Sequence, residues 1–292
     1  MKILLIGKNG QVGHELQRTL LPLGELVALG RDGLDLNDPA SLKQVLESQA
    51  ADIIVNASAY TAVDRAETDE AGALAVNAAA VAAMAAHART HGALLVHYST
   101  DYVFDGDKAG PYVEDDATAP QSAYGRSKRA GEEAILASGC KALVFRTSWV
   151  FSAHGGNFIK TMLRLAGERD SLSVVADQIG APTSAELIAD VTALAVAAYR
   201  RGALAGGIYH LTASGATSWH GLASYAIERA KARGAAIKVD PAQIKPIPTE
   251  AYPLPAKRPK NSRLDTSKLA GALDLQLPEW KIHVDRLIEQ IS

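Results

Sequence analysis

The chain carries a single cysteine, Cys140, in 292 residues. A lone thiol cannot close an internal disulfide, so a reducing, cytoplasmic setting is expected. Excess charge of one sign is also missing: 30 Lys and Arg stand against 32 Asp and Glu, for a formal net charge of −2. That balance leaves no electrostatic footprint for nucleic acid or an anionic membrane surface, and neither partner is expected. Long hydrophobic runs are scarce. The first apolar run stops at Ile6 and glycine follows, which does not fit a signal peptide. The alanine-rich stretch from Ala71 to Ala86 is short for a membrane span and is interrupted by Asn77, so a packed helix is expected. No internal repeat and no tether-like linker is present. A hydrophobic content of 48% is that of a globular protein, and the length permits a large core or one domain with a second, smaller lobe.

Short apolar runs alternate with helical stretches. Strands are expected at Lys2–Ile6, Glu25–Leu29, Asp52–Asn56, Ala93–Tyr98, Ala142–Thr147, Ser171–Val175 and Gly207–Leu211. Helices are expected at Gln11–Leu21, Pro39–Ser48, Glu70–His91, Tyr124–Ser138, Asn157–Gly167, Ser184–Arg200, Ser218–Arg233 and Trp280–Gln290. This alternation predicts an α/β fold with a doubly wound, mainly parallel, Rossmann-like sheet. The pattern weakens after about Val150. Residues 1–150, joined by about 184–215, are therefore expected to form a dinucleotide-binding domain, and 151–292 mainly a discontinuous substrate-binding lobe. Six prolines between Pro241 and Pro259 predict an extended loop without regular structure.

Three features carry chemistry. Gly7-Lys8-Asn9-Gly10-Gln11-Val12-Gly13 lies between the first strand and the first helix. Glycines there permit a tight turn and let backbone approach a pyrophosphate, and the helix start offers free N–H groups. An ordinary glycine-rich turn is the plainer alternative. Further on, Tyr124 and Lys128 stand four apart at the start of a helix, on one face. A free tyrosine has a pKa of about 10, and a neighbouring ammonium brings it toward the working range. Ser99, Thr100 and Asp101 follow an apolar strand, where they either cap the turn or hydrogen-bond a substrate oxygen.

Together these residues resemble the extended short-chain dehydrogenase/reductase superfamily. The resemblance narrows to the dTDP-4-dehydrorhamnose reductase family. It is carried by Gly7–Gly13, Asp52–Asn56, Tyr60–Asp64, His97–Gly106, Tyr124-Gly125-x-x-Lys128, Arg146–Val150, Asp177-Gln178-x-Gly180-Ala181-Pro182-Thr183 and Arg258-Pro259-x-Asn261-Ser262. It runs from about residue 1 to the C-terminus. The family implies reduction of the C4 ketone of dTDP-4-dehydro-L-rhamnose by a nicotinamide hydride. Tyr124 would protonate the C4 oxygen. Lys128 would hold the nicotinamide ribose and lower the tyrosine pKa, and Thr100 matches the third catalytic hydroxyl.

For the cofactor, the resemblance assigns Gly7, Gly10, Gln11, Val12 and Gly13 to the cradle. Asp35 and Leu36 fall by the adenine, and Ala59, Tyr60 and Thr61 on the loop over the pyrophosphate and ribose. The acid that usually ends the second strand is replaced by Gly30, and Arg31 could meet a 2′-phosphate. NADPH is thus the expected cofactor, with NADH tolerated. For the dTDP-sugar it implies contacts from Asp101, Trp149, Gln178, Arg258 and Asn261. Trp149 reads equally as a core residue, and the basic stretch around Arg258 as a solvated loop. Some family members bind Mg²⁺ at a dimer interface through three glutamates. Glu15 and Glu186 match two of these, but Gln290 stands at the third, and an amide is a poorer ligand than a carboxylate. Solvated helix glutamates are the better reading, and a homodimer stays open. Two rivals remain: a related sugar-nucleotide epimerase or dehydratase, and a non-catalytic regulatory subunit. Tyr102, where dehydratases carry an acid, argues for simple reduction.

Overall fold

The computed structural model describes residues 1–291. The strands are β1 (Lys2–Ile6), β2 (Glu25–Leu29), β3 (Ile53–Asn56), β4 (Leu94–Thr100), β5 (Lys141–Thr147), β6 (Val150–Phe151), β7 (Leu172–Val175), β8 (Ile179–Gly180), β9 (Thr183–Ser184), β10 (Gly207–His210), β11 (Thr217–Ser218) and β12 (Ile244–Ile247). Six of them form one parallel sheet in the order β10-β5-β4-β3-β1-β2. The winding changes direction at β1, which has β2 on one side and β3 on the other. Ligands of doubly wound sheets bind beyond the C-terminal strand ends at such a point. The expected fold class is the one observed.

Period-two alternation divides the strand residues between two cores. Ile3, Leu5, Ile53, Val55, Val96, Leu143 and Phe145 face the helices Gln11–Leu20 and Ala185–Arg200. Leu4, Ile6, Ile54, Leu95 and Val144 face Pro39–Gln49, Ala80–His91 and Ala123–Ser138. On this second face the strands turn polar toward their C-terminal ends. Asn56 is in register with His97, and Ser99 with Arg146. A buried polar layer therefore lies beneath the Ala123–Ser138 helix, which also brings Tyr124 and Lys128 to the same edge of the sheet. Ser122 starts that helix by accepting the Gly125 N–H at 3.1 Å.

The expected packed helix at Glu70–His91 is present with a break in it, and two other expectations need correction. The helical run Glu70–His91 covers 22 residues with mean hydropathy 1.5, so by length and composition it could cross a bilayer. Here it lies on the sheet, with Val81, Met84, Ala85 and Ala88 in the core. A π-turn at Ala75–Ala79 interrupts it and buries Asn77. The expected strand near Ser171–Val175 does not join the main sheet but forms β7, paired with β12. β12 lies inside the proline-rich segment and includes Pro246. A two-stranded ribbon leaves each strand a free edge, where the N–H that proline lacks is not needed.

The segment after Arg258 threads between earlier loops. Asn261 N–H donates to the Gly106 carbonyl (2.9 Å), Ser262 N–H to that of Ile179 (2.7 Å), and Tyr112 N–H to that of Arg263 (2.8 Å). This backbone pairing brings the end of the chain to the edge that carries Thr100 and Tyr124.

Candidate active site

The glycine turn after β1 is built by close approach. Gly7 has φ +96°, and a Cβ on it would lie 2.6 Å from Ser58 Oγ; a Cβ on Gly13 would lie 2.0 Å from the Gly7 carbonyl oxygen. A Cβ on Gly10, which starts the Gln11–Leu20 helix, would meet nothing nearer than 3.5 Å. Gly7 and Gly13 are thus required by the turn itself, whereas Gly10 leaves bare backbone facing outward. That is the form a pyrophosphate needs in order to reach N–H groups at a helix start.

Around the end of β2, a Cβ at Gly30 would sit 2.6 Å from both Asn9 Nδ2 and Asp32 Oδ1. No acid fits there without rearrangement. Lys8 Nζ lies 3.4 Å from Asp32. Arg31 is exposed and makes no hydrogen bond or ion pair among the described residues. Hydrogen bonds from the Asn37 backbone and side chain hold the Asp35 carboxyl below its usual range, helped by the Arg31 charge. Across the switch point, the loop carrying Ala59, Tyr60 and Thr61 is pinned from below. Asn77 Oδ1 accepts the Tyr60 N–H (2.9 Å), and its Nδ2 donates to the Tyr60 carbonyl (3.0 Å) and to Ser127 Oγ (2.9 Å). The π-turn therefore joins the loop after β3 to the helix that carries Tyr124.

At the end of β4, Thr100 Oγ donates to Asp101 Oδ1 (3.0 Å) and accepts the Tyr102 N–H (3.2 Å). Burial pushes the Asp101 carboxyl up to about 6, with side-chain hydrogen bonds from Ser262 and Thr100 opposing the rise. Burial pushes the Tyr124 hydroxyl up to about 12; a hydrogen bond with Thr100 opposes the rise and the Asp101 charge adds to it. The expected lowering of Tyr124 by Lys128 is not found. Lys128 Nζ, only 2% exposed, donates to the Tyr98 carbonyl (2.6 Å) and lies 3.1 Å from His97 Nε2. Helical spacing put the two residues on one face, but the lysine turns down into the polar layer while the tyrosine stands above it. Burial draws Lys128 down to about 8, with Glu132 opposing.

The expected substrate residues fall into two groups. Trp149 has φ +50° and stacks on Trp219 with centroids 3.6 Å apart. The ring also packs against Gly180, where a Cβ would come within 2.6 Å of it. Gln178 Oε1 accepts the Trp219 indole N–H (3.1 Å), and its Nε2 donates to Thr249 Oγ (3.1 Å). An aromatic wall of Trp149, Trp219 and Phe158 results. Arg258 donates to Asp64 at 2.7 Å, which ties the late basic loop to the short helix Val63–Ala66 that follows β3. Asn261 is buried, with Nδ2 donating to the Lys108 and Gly110 carbonyls, both at 2.8 Å. Its amide thus braces the 106–110 loop. Sequence reasoning missed Trp219 and His97. The scarcity of tryptophan, three in the chain, was a usable signal for the first.

Glu15 and Glu186 stand on the Gln11–Leu20 and Ala185–Arg200 helices. Glu186 accepts from Arg286 (3.0 Å) and Gln290 (2.9 Å), and Glu15 lies 4.0 Å from Arg18. Among the described residues no group of three His, Cys, Asp or Glu side chains is placed to hold a metal ion.

A glycine cradle at the switch point of a parallel sheet, facing Thr100, Tyr124 and Lys128 across the strand ends, defines an extended short-chain dehydrogenase/reductase. The particular family follows from comparison with known proteins. A family model described as the RmlD substrate binding domain matches residues 1–292. The dTDP-4-dehydrorhamnose reductase of Burkholderia thailandensis is 50% identical over 100% of this chain and 99% of its own. That of Escherichia coli K12 is 47% identical over 100% and 98%. A dTDP-4-dehydrorhamnose reductase structure from Bacillus anthracis in complex with NADP superposes with a TM-score of 0.88 at 34% identity, covering 99% of each chain. The chain belongs to the RmlD family of dTDP-4-dehydrorhamnose reductases.

Proposed function

We propose that this chain catalyses the NADPH-dependent reduction of the C4 ketone of dTDP-4-dehydro-L-rhamnose to dTDP-L-rhamnose. The observation that carries the chemistry is the Thr100–Tyr124 pair at the end of β4, opposite the bare backbone at Gly10. Bound nicotinamide supplies the hydride. Tyr124, protonated at neutral pH because its pKa is raised to about 12, donates its proton to the C4 oxygen. Thr100 orients that hydroxyl, and Asp101 fixes Thr100 through its 3.0 Å hydrogen bond. Lys128 holds the ribose from the layer below. Gly7, Gly10, Gln11, Val12 and Gly13 cradle the pyrophosphate, with Asp35 and Leu36 near the adenine and Ala59, Tyr60 and Thr61 over the ribose. Residues 1–150 with about 184–215 act as the dinucleotide-binding domain, and the rest of 151–292 as the substrate lobe. Loss of NADPH absorbance on adding enzymatically generated dTDP-4-dehydrorhamnose tests the reading. Cofactor binding without turnover would favour a regulatory subunit instead.

Arg31 makes no hydrogen bond or ion pair among the described residues, which leaves its guanidinium able to meet a 2′-phosphate. Arg31→Ala is expected to raise the KM for NADPH and leave that for NADH nearly unchanged; equal effects would remove Arg31 from phosphate recognition.

Trp149, Gln178 and Arg258 hold the dTDP end, with Asn261 shaping the loop they close on. Arg258 now pairs with Asp64, so the diphosphate must take over the guanidinium. One charge-assisted hydrogen bond contributes about 1.5–3 kcal/mol. Arg258→Ala should therefore raise the sugar-nucleotide KM roughly ten- to a hundredfold with kcat little changed. The measurement is a steady-state titration of substrate at saturating NADPH, and an unchanged KM would remove Arg258 from the diphosphate site.

A further inference from the structure

The reaction gives no role to Asn56 and His97, which lie buried beneath Lys128. They are in register on β3 and β4, 1% and 0% exposed. Ser58 N–H donates to Asn56 Oδ1 at 3.1 Å; Asn56 Nδ2 lies 3.2 Å from His97 Nδ1; His97 Nε2 lies 3.1 Å from Lys128 Nζ. A backbone N–H can only donate, so the Asn56 carbonyl oxygen must face Ser58 and its NH₂ must face the imidazole. Nδ1 then accepts, and a neutral imidazole carries its proton on Nε2. Burial by itself holds His97 well below its usual range, so the ring is neutral. Its Nε2–H therefore points at Lys128. Burial alone, which draws Lys128 to about 8, would leave it mostly charged at neutral pH. An ammonium facing the Nε2–H would set two donors against each other, which lowers it further, whereas an amine accepts the hydrogen bond and still donates to the Tyr98 carbonyl.

We propose that Asn56 and His97 are positioning residues that fix the Nε2–H tautomer of His97 and thereby hold Lys128 as a neutral amine until the cofactor binds. Other charges around Lys128 do not reverse this. Glu132, one turn along its helix, is engaged by Arg146 and Arg129. Tyr124 on the same helix is protonated, Asp101 bonds Thr100, and the Tyr98 hydroxyl is paired with Thr192. The chain of bonds starts at the cofactor cleft: Ser58 is the residue against which Gly7 packs. Cofactor that recruits Lys128 as a cation must then bring one proton from solvent onto Nζ, and the lysine must leave His97. This consequence rests on the reductase reading; the tautomer does not.

The test uses the full chain labelled with ¹⁵N-histidine. In cofactor-free protein at neutral pH, His97 should show a bare Nδ1 and a protonated Nε2; a protonated Nδ1 overturns the proposal. Asn56→Asp offers a carboxylate to Nδ1–H and should reverse the tautomer. Calorimetry of NADP⁺ binding in two buffers of different ionisation enthalpy should show uptake of about one proton by wild type and almost none by Asn56→Asp. Should that variant fail to fold, His97→Gln presents an oxygen to the ammonium and should lose the uptake in the same way. Wild-type binding without proton uptake overturns the proposal. Absence of reductase turnover with the tautomer and uptake intact would instead count against the proposed function.

Discussion

Replacing Tyr124 by phenylalanine is expected to lower kcat by about 10²–10⁴-fold, the usual contribution of a positioned general acid, while NADPH still binds. The ring is kept, including its edge-on contact with Tyr102 at 5.5 Å, so the loss isolates the proton. Stopped-flow reduction measured beside cofactor fluorescence separates chemistry from binding, and near-wild-type kcat would remove Tyr124 from the mechanism. The pH profile follows from the same hydroxyl. With a pKa of about 12, the donor form dominates throughout the neutral range. Deprotonation of Tyr124 should therefore produce no fall in rate near neutrality, and its limb belongs on the strongly alkaline side. In Tyr124→Phe that limb should vanish.

Arg146→Ala is expected to destabilise the fold by about 3–5 kcal/mol, because it leaves the buried Glu132 carboxylate with Arg129, at 3.1 Å, as its remaining cation. Arg146 and Glu132, 2% and 0% exposed, share two hydrogen bonds of 2.8 and 2.7 Å. The guanidinium also lies over the Phe104 ring at 4.9 Å and donates to the Glu114 carbonyl. Denaturant titration reads the loss directly, and a cost below about 1 kcal/mol would show that the cavity admits water to Glu132. Replacing both partners with apolar residues of similar volume should cost less than Arg146→Ala alone. Burial raises the Glu132 carboxyl, but the Arg146 bonds and charge outweigh this and leave it below its ordinary value of 4.5. A group lowered on folding stabilises above its unfolded pKa, and that stability goes as pH falls through the folded pKa. Acid unfolding of wild type should therefore show a contribution from Glu132 below about pH 4.5 that the double apolar variant lacks.

The alternation of apolar runs and helices made the sheet and its cofactor edge legible, because strand, turn and helix signals are local. The spacing of Tyr124 and Lys128 correctly predicted a shared helix but not what the lysine touches. That depended on which residues of β4 face the helix, and the expected strand ends at Tyr98, which places Ser99 in the turn and gives His97 no role. Trp149 was seen as either a substrate contact or a core residue. The Trp219 stack involves a partner 70 residues later, which no local pattern encodes. Proline density misled at Pro246 because it says nothing about whether a strand has a free edge. The same distance problem hid the grip of Asn261 on the 106–110 loop.

The ion pair between Asp64 and Arg258 spans 194 positions of sequence. At a synthesis rate of about 5–20 residues per second, roughly 10–40 s separate the two residues on the ribosome. Until then the segment that closes on Gly106 and Tyr112 has not been made, nor have Leu269, Trp280, Val284, Leu287 and Ile288, which complete the core on one face of the sheet. The sheet therefore cannot finish its packing until the chain is nearly complete. Messages truncated before Arg258 should yield products with neither a cooperative thermal transition nor turnover.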